Sequence, residues 1–197
     1  MPIDVTLLTR LFVHLPEVIF TNEGVKFQEY PFAPSIIYPS KLLVVADIKE
    51  INEKAAPPEI RTEQGEILFV PANQKDDLVK FAHRKKLSMI HRFDVWDLLL
   101  EPFLDTEFDA DEKERTLRIL EENRINRKEC ETIREEVSKA MTLYNFSTGL
   151  WDWVHLGLLD LLSAQRGIMN ETNFNKFYWY AMEIALRAKE FDKRSAT

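Results

Sequence analysis

Eight of the chain's nine prolines fall within its first 71 residues, and Pro102 is the last, leaving 95 residues without one. Proline lacks a backbone donor and breaks helix interiors, so the front of the chain is restricted to short strands and loops. Everything after Pro102 is free to be helical. The asymmetry predicts an α+β fold: a small antiparallel or mixed sheet with a packed helix in a strand-rich portion, residues 1–92, then a C-terminal helical bundle, residues 93–197. No Gly/Ser-rich linker divides the portions, and the Asp105-Thr106-Glu107-Phe108 connection keeps an apolar anchor. The two are expected to pack as one compact unit.

Within the front portion, Val18-Ile19-Phe20 and Val25 through Tyr30 flank Thr21-Asn22-Glu23-Gly24, the pattern of a hairpin whose glycine takes positive φ. Pro31, Pro34 and Pro39 make the next stretch a wrapping loop. Leu42 through Ile48, apolar except for Asp47 near its end, is expected as one central strand. Glu59–Thr62 and Glu66–Val70 flank Glu63-Gln64-Gly65, a second hairpin. Asn73 is placed to cap a helix that includes Leu78, Phe81, Ala82 and Lys85, with Asp76 in its first turn. Ser88 through Phe93 returns as a further strand, and Asp94 caps a short helix that Pro102 limits.

In the back portion, Asp109 with Glu112 and Asn126 with Glu129 are paired start signals. After the second, Cys130, Ile133, Val137, Ala140, Met141 and Tyr144 recur at three and four residues and define one apolar helix face. Thr148 is expected to introduce a helix over Leu150 to Ala164, which Gly167 ends. A last helix, from about Asn173 to Glu190, would bury Phe174, Phe177, Ala181, Ile184, Ala185 and Ala188.

Charge excludes some functions. The 33 acidic and 26 basic residues leave the protein acidic at -7, about -4 through Ala72 and -3 afterwards. Neither portion offers the positive field that attracts phosphate backbones, so nucleic acid is an unlikely partner. Cys130 is the lone cysteine, which rules out an intrachain disulfide and a thiolate metal cluster and fits a reducing cytoplasm. The Met1-Pro2-Ile3-Asp4 start lacks the features of a secretory signal, and Asp152, His155 and Asp160 interrupt the longest helix-like apolar stretch. Membrane insertion is not expected; peripheral membrane contact stays open. In element order the front portion resembles small barrel adaptors that bind membranes or peptides, a likeness that transfers no residue role.

Three groups could carry function. Projected on a helix, Asp152, His155 and Asp160 fall at about 0, 300 and 80 degrees, on one broad face. As a metal-assisted hydrolase or small-molecule enzyme, the protein would use His155 as ligand or base, Asp152 as ligand or orienter, and Asp160 as an acidic component. One histidine and two carboxylates supply only part of such a site, and a polar network explains them more simply. Enzymatic status, metal and cofactor are not specified by the sequence. Arg84, Lys85 and Lys86, beside His83, form a positive helix end suited to contact an anion. Trp151 and Trp153, with Tyr178 and Trp179, are dense aromatic segments whose side chains project in several directions. They favour a cytoplasmic protein-interaction or regulatory factor whose partner is another protein or a second copy of the chain.

Overall fold

The computed structural model describes residues 13–104, 110–148 and 155–190, the side chains of 145–148 excepted. Among these residues the fold is α+β, with two three-stranded antiparallel sheets and six helices. The chain divides into two compact units. Residues 14–93 and 178–190 make a strand-bearing unit, and residues 94–177 a helical one.

The first sheet orders β1 (Ile19–Phe20), β2 (Gly24–Phe27) and β3 (Lys41–Val44), with Phe20 opposite Val25 and Lys26 opposite Leu42. The Thr21 hydroxyl accepts from the amides of Glu23 and Gly24 and closes the turn. Gly24 is required for a different reason than expected. It lies within β2 without positive φ, and a Cβ there would stand 1.9 Å from the Leu43 carbonyl oxygen. Close approach of β3, rather than turn geometry, selects glycine. After β2, Tyr30, Phe32 and Ile37 turn the proline-rich loop inward as an aromatic core.

The run from Leu42 to Ile48 is not one strand. A 3-10 turn at Val45–Asp47 splits it, leaving β3 at the edge of the first sheet and starting β4 (Ile48–Asn52) in the second. The apolar character here reflects membership of two sheets, not burial on two faces of one; Val44 is in fact exposed.

The second sheet orders β4, β5 (Glu59–Thr62) and β6 (Ile67–Phe69), pairing Glu50 with Arg61 and Asn52 with Glu59. Its register shifts between Ile48 and Glu50, which makes Lys49 the extra residue of a bulge. The turn between β5 and β6 falls where the sequence predicts a hairpin, with Gly65 at φ 83°.

Helix α1 (Lys75–Lys85) follows a 3-10 turn at Ala72–Gln74, so Asn73 does not cap it. The Gln74 side chain instead grips the Val18 backbone, accepting from its amide at 2.7 Å and donating to its carbonyl at 2.9 Å. Lys86, at φ 56°, closes the helix: its amide donates to His83 and that of Leu87 to Ala82. The segment expected as a strand, Ser88 to Phe93, makes only isolated bridges, Met89 beside Ile51 and Arg92 beside Glu190.

The helical unit comprises α2 (Val95–Leu100), α3 (Ala110–Glu122), α4 (Arg127–Thr148), α5 (Leu158–Ile168) and the start of α6 (Glu171–Ala185). Asp94 caps α2 by accepting from Trp96, and its other oxygen accepts from Leu158 at the start of α5. A Cβ on Gly157 would stand 2.6 Å from that oxygen. Helix α4 buries Cys130, Ile133, Val137, Ala140, Met141 and Tyr144, the face its spacing predicts. Asn126 accepts from Glu129 at its start, and Arg134 donates to the carbonyls of Leu98 and Leu99 at the end of α2. Asp109, one half of the other expected start signal, lies outside the described residues.

Thr148 ends α4 rather than starting the next helix. Residues 150–154 of the expected helix lie outside the described residues, and α5 begins at Leu158, where the Asp160 carboxylate accepts from the Gly157 amide. Gly167 lies inside α5, which ends at Ile168. No helix of the described residues is long and apolar enough to cross a membrane.

Candidate functional site

His155 precedes α5, and Asp160 lies in that helix's first turn, so the two do not share the helical face that projection predicts. His155 is exposed, with Nδ1 3.3 Å from Asp97 Oδ1. Asp160 is half-buried and accepts from the Tyr144 hydroxyl and the Gly157 amide, each at 2.9 Å. Burial pushes its carboxyl above the ordinary range, with those hydrogen bonds opposing. Asp152 lies outside the described residues. Among the described residues, no group of three or more His, Cys, Asp or Glu side chains could hold a metal ion.

Arg84, Lys85 and Lys86 sit at the end of α1, Arg84 and Lys86 exposed and Lys85 half-buried. The Arg84 guanidinium lies 5.7 Å from the centre of the Phe81 ring, a cation on an aromatic face. Trp151 and Trp153 lie outside the described residues. Tyr178, expected on a contact surface, is fully buried, whereas Trp179 is 38% exposed.

Tyr178 is buried because the last part of α6 docks on the hairpin of β5 and β6. Three positions, at intervals of four and three residues, share one helix face: the Tyr178 hydroxyl donates to Glu66 Oε1, the Ile67 amide donates to Met182 Sδ, and the Ala185 carbonyl accepts from Arg61. Glu66 is wholly buried and also accepts from the Ile36 amide at 3.2 Å, anchoring the proline-rich loop. Burial pushes the Glu66 carboxyl upward against the hydrogen bonds from Ser35 and Tyr178. The Tyr178 hydroxyl is likewise raised by burial, then by neighbouring Tyr30 and Glu66. On this fixed tyrosine the Trp179 indole rests edge-on, ring centres 5.5 Å apart at 85°.

The same hairpin forms one wall of a charged pocket. Arg92 holds Glu50 with two bonds, Nε to Oε1 at 2.6 Å and Nη2 to Oε2 at 3.0 Å, and donates to the Ala188 carbonyl at 3.2 Å. Arg61, only 4% exposed, approaches Glu50 Oε1 at 3.6 Å. Burial alone would raise the Glu50 carboxyl, but Arg92, then Arg61, bring it below the ordinary range. Two guanidinium groups thus share one carboxylate beside a cavity of about 170 Å³, which Lys49, Thr62, Glu63, Gly65 and Leu186 complete.

Sequence reasoning missed this pocket. Glu50 and Arg61 are cross-strand partners, and no signal local to their strands says what covers them. The cover comes from residues 178–190, more than a hundred positions later. Opposite charges on facing strands were the one available signal. Compared with family models, with curated proteins and with solved structures, the chain matches none.

Proposed function

We propose that this chain is a protein-interaction or regulatory factor that engages a protein partner through a surface centred on Trp179. The observation that carries the reading is the exposed indole braced edge-on against Tyr178, whose own hydroxyl is tied to buried Glu66. Tryptophan is the side chain most enriched at interface hot spots, and one already held in place loses little freedom on binding. The partner would present an apolar pocket for the ring. An overall charge of -7 argues for a protein over a nucleic acid. Cys130, buried and with its thiol raised by burial, suits a cytoplasmic setting in which no disulfide is needed.

The test places a photoreactive phenylalanine analogue at position 179 and irradiates the full chain in cells. The reading predicts one dominant adduct, suppressed by excess wild-type protein and not by a Trp179→Glu competitor. No adduct, or equal suppression by both competitors, would show that Trp179 is not the contact.

A further inference from the structure

We propose that the pocket beside Glu50 is a binding site for a small organic monocarboxylate, separate from the contact centred on Trp179. Its volume of about 170 Å³ holds about five or six waters at liquid density, the room taken by an acid with roughly as many non-hydrogen atoms. Its chemistry selects a carboxylate. A guanidinium offers a planar pair of donors that matches two carboxylate oxygens, and Arg92 already binds Glu50 in that way within the pocket. Arg61 lies on the strand opposite Glu50, and Lys49, the extra residue of the bulge, lines the same pocket.

Charge sets the valence. Three cations, Lys49, Arg61 and Arg92, line the pocket against two carboxylates, Glu50 and Glu63, leaving one formal positive charge. A monoanion neutralises it. A dianion such as phosphate would leave an excess negative charge beside Glu50 and Glu63. Leu186 contributes an apolar wall opposite Gly65, where a Cβ would stand 3.4 Å from Leu186 Cδ1 and the φ of 83° disfavours any side chain. An apolar wall facing arginines suits an organic acid better than an inorganic ion. Arg61, held in place by Glu50 and the Ala185 carbonyl, gives the pre-formed cationic wall that recognition of a carboxylate requires.

The experiment is a titration of the 15N-labelled full chain with sodium propionate, following the Arg61 and Arg92 Nε–H signals and the amides of residues 62–65, with sodium chloride at matched ionic strength as control. Propionate is expected to give saturable shifts confined to these signals. Sodium phosphate is expected to bind more weakly. The exposed Lys49→Glu substitution, its folding checked by an otherwise unchanged spectrum, should weaken propionate about tenfold. A linear drift matching chloride, tighter binding of phosphate than of propionate, or an unaltered response in Lys49→Glu would each overturn the proposal.

Discussion

The two units bury different kinds of polar group. Among the described residues, the strand-bearing unit buries Ser35, Glu50, Asn52, Glu59, Arg61, Thr62 and Glu66, whereas the helical unit buries Thr116, Asn123, Ser163 and Gln165, none of them charged. In the helical unit, polar side chains serve the helices. Asn123 and Ser163 donate to carbonyls one turn back, Thr116 donates to Glu101, and Asp94 and Asp160 accept at helix starts. In the strand-bearing unit the buried charges do more than close the backbone. Glu66 ties a loop and a helix to the second sheet, and the cluster of Glu50, Arg61 and Arg92 lines an open pocket. Ionic groups are expensive to bury, and on the proposal above the cluster of Glu50, Arg61 and Arg92 offsets that cost through recognition of a carboxylate.

The largest expected effect is at Glu50. Its replacement by alanine leaves Arg61 and Arg92 without the carboxylate they share, a loss of about 3–5 kcal/mol. Urea unfolding measures it. The helical counterpart is Gln165, whose amide nitrogen and oxygen have no hydrogen-bond partner among the described residues. Gln165→Met removes that desolvation penalty and should be neutral or stabilising by about 1 kcal/mol. Similar losses from both substitutions would erase the contrast between the units.

Titration sets Asp94 of the helical unit against Glu50 of the strand-bearing unit. Burial, opposed by its cap bonds, pushes the Asp94 carboxyl up to about 6 from 3.8. The folded protein therefore holds this proton more tightly than the unfolded chain, and stability falls as pH rises between about 4 and 6. A shift of that size is worth about 2–3 kcal/mol. Glu50 has the opposite sign: its lowered carboxyl stabilises the fold above the ordinary glutamate range, a contribution lost on acidification. Asp94→Asn should flatten the decline between pH 4 and 6 in urea midpoints recorded across pH. An unchanged slope would remove Asp94 as its source.

A smaller effect should be common to both units. Lys86 in one and Arg124 in the other close helices at φ 56° and 66°, and the amides that follow, Leu87 and Ile125, donate to Ala82 and Leu120. Glycine adopts this backbone without strain, so Lys86→Gly and Arg124→Gly should each stabilise by about 0.5–1 kcal/mol. Thermal unfolding of the two single variants checks whether the ends are equivalent. A loss in either would mean that its side chain contributes more than the backbone geometry costs.

What could be read in the sequence follows from how local the determining signal is. The α4 face from Cys130 to Tyr144, the Asp94 cap and the Gly65 turn depend on residues within a few positions, and each is present as expected. The split at Val45 was not legible, since strands in two sheets leave the same apolar run as one buried strand. Nor was the bond from the Tyr144 hydroxyl to Asp160, because Tyr144 belongs to the preceding helix. Least visible was the assignment of Tyr178 onward to the strand-bearing unit. The apolar periodicity of α6 continues through Phe177 and Tyr178, so no local mark announces the change. Trp179 could be named as a candidate contact, while the bracing role of Tyr178 and Glu66 could not be read.

The most direct test of the claim that buried charge in the strand-bearing unit serves recognition is to remove the whole cluster at once. In the variant Glu50→Leu, Arg61→Met and Arg92→Leu, no ion is left uncompensated, and apolar side chains fill the space. The account predicts unfolding free energy within about 1 kcal/mol of wild type, or above it, together with loss of the saturable propionate response. A triple variant as unstable as Glu50→Ala alone would show that the cluster is a requirement of the fold, and would contradict the account.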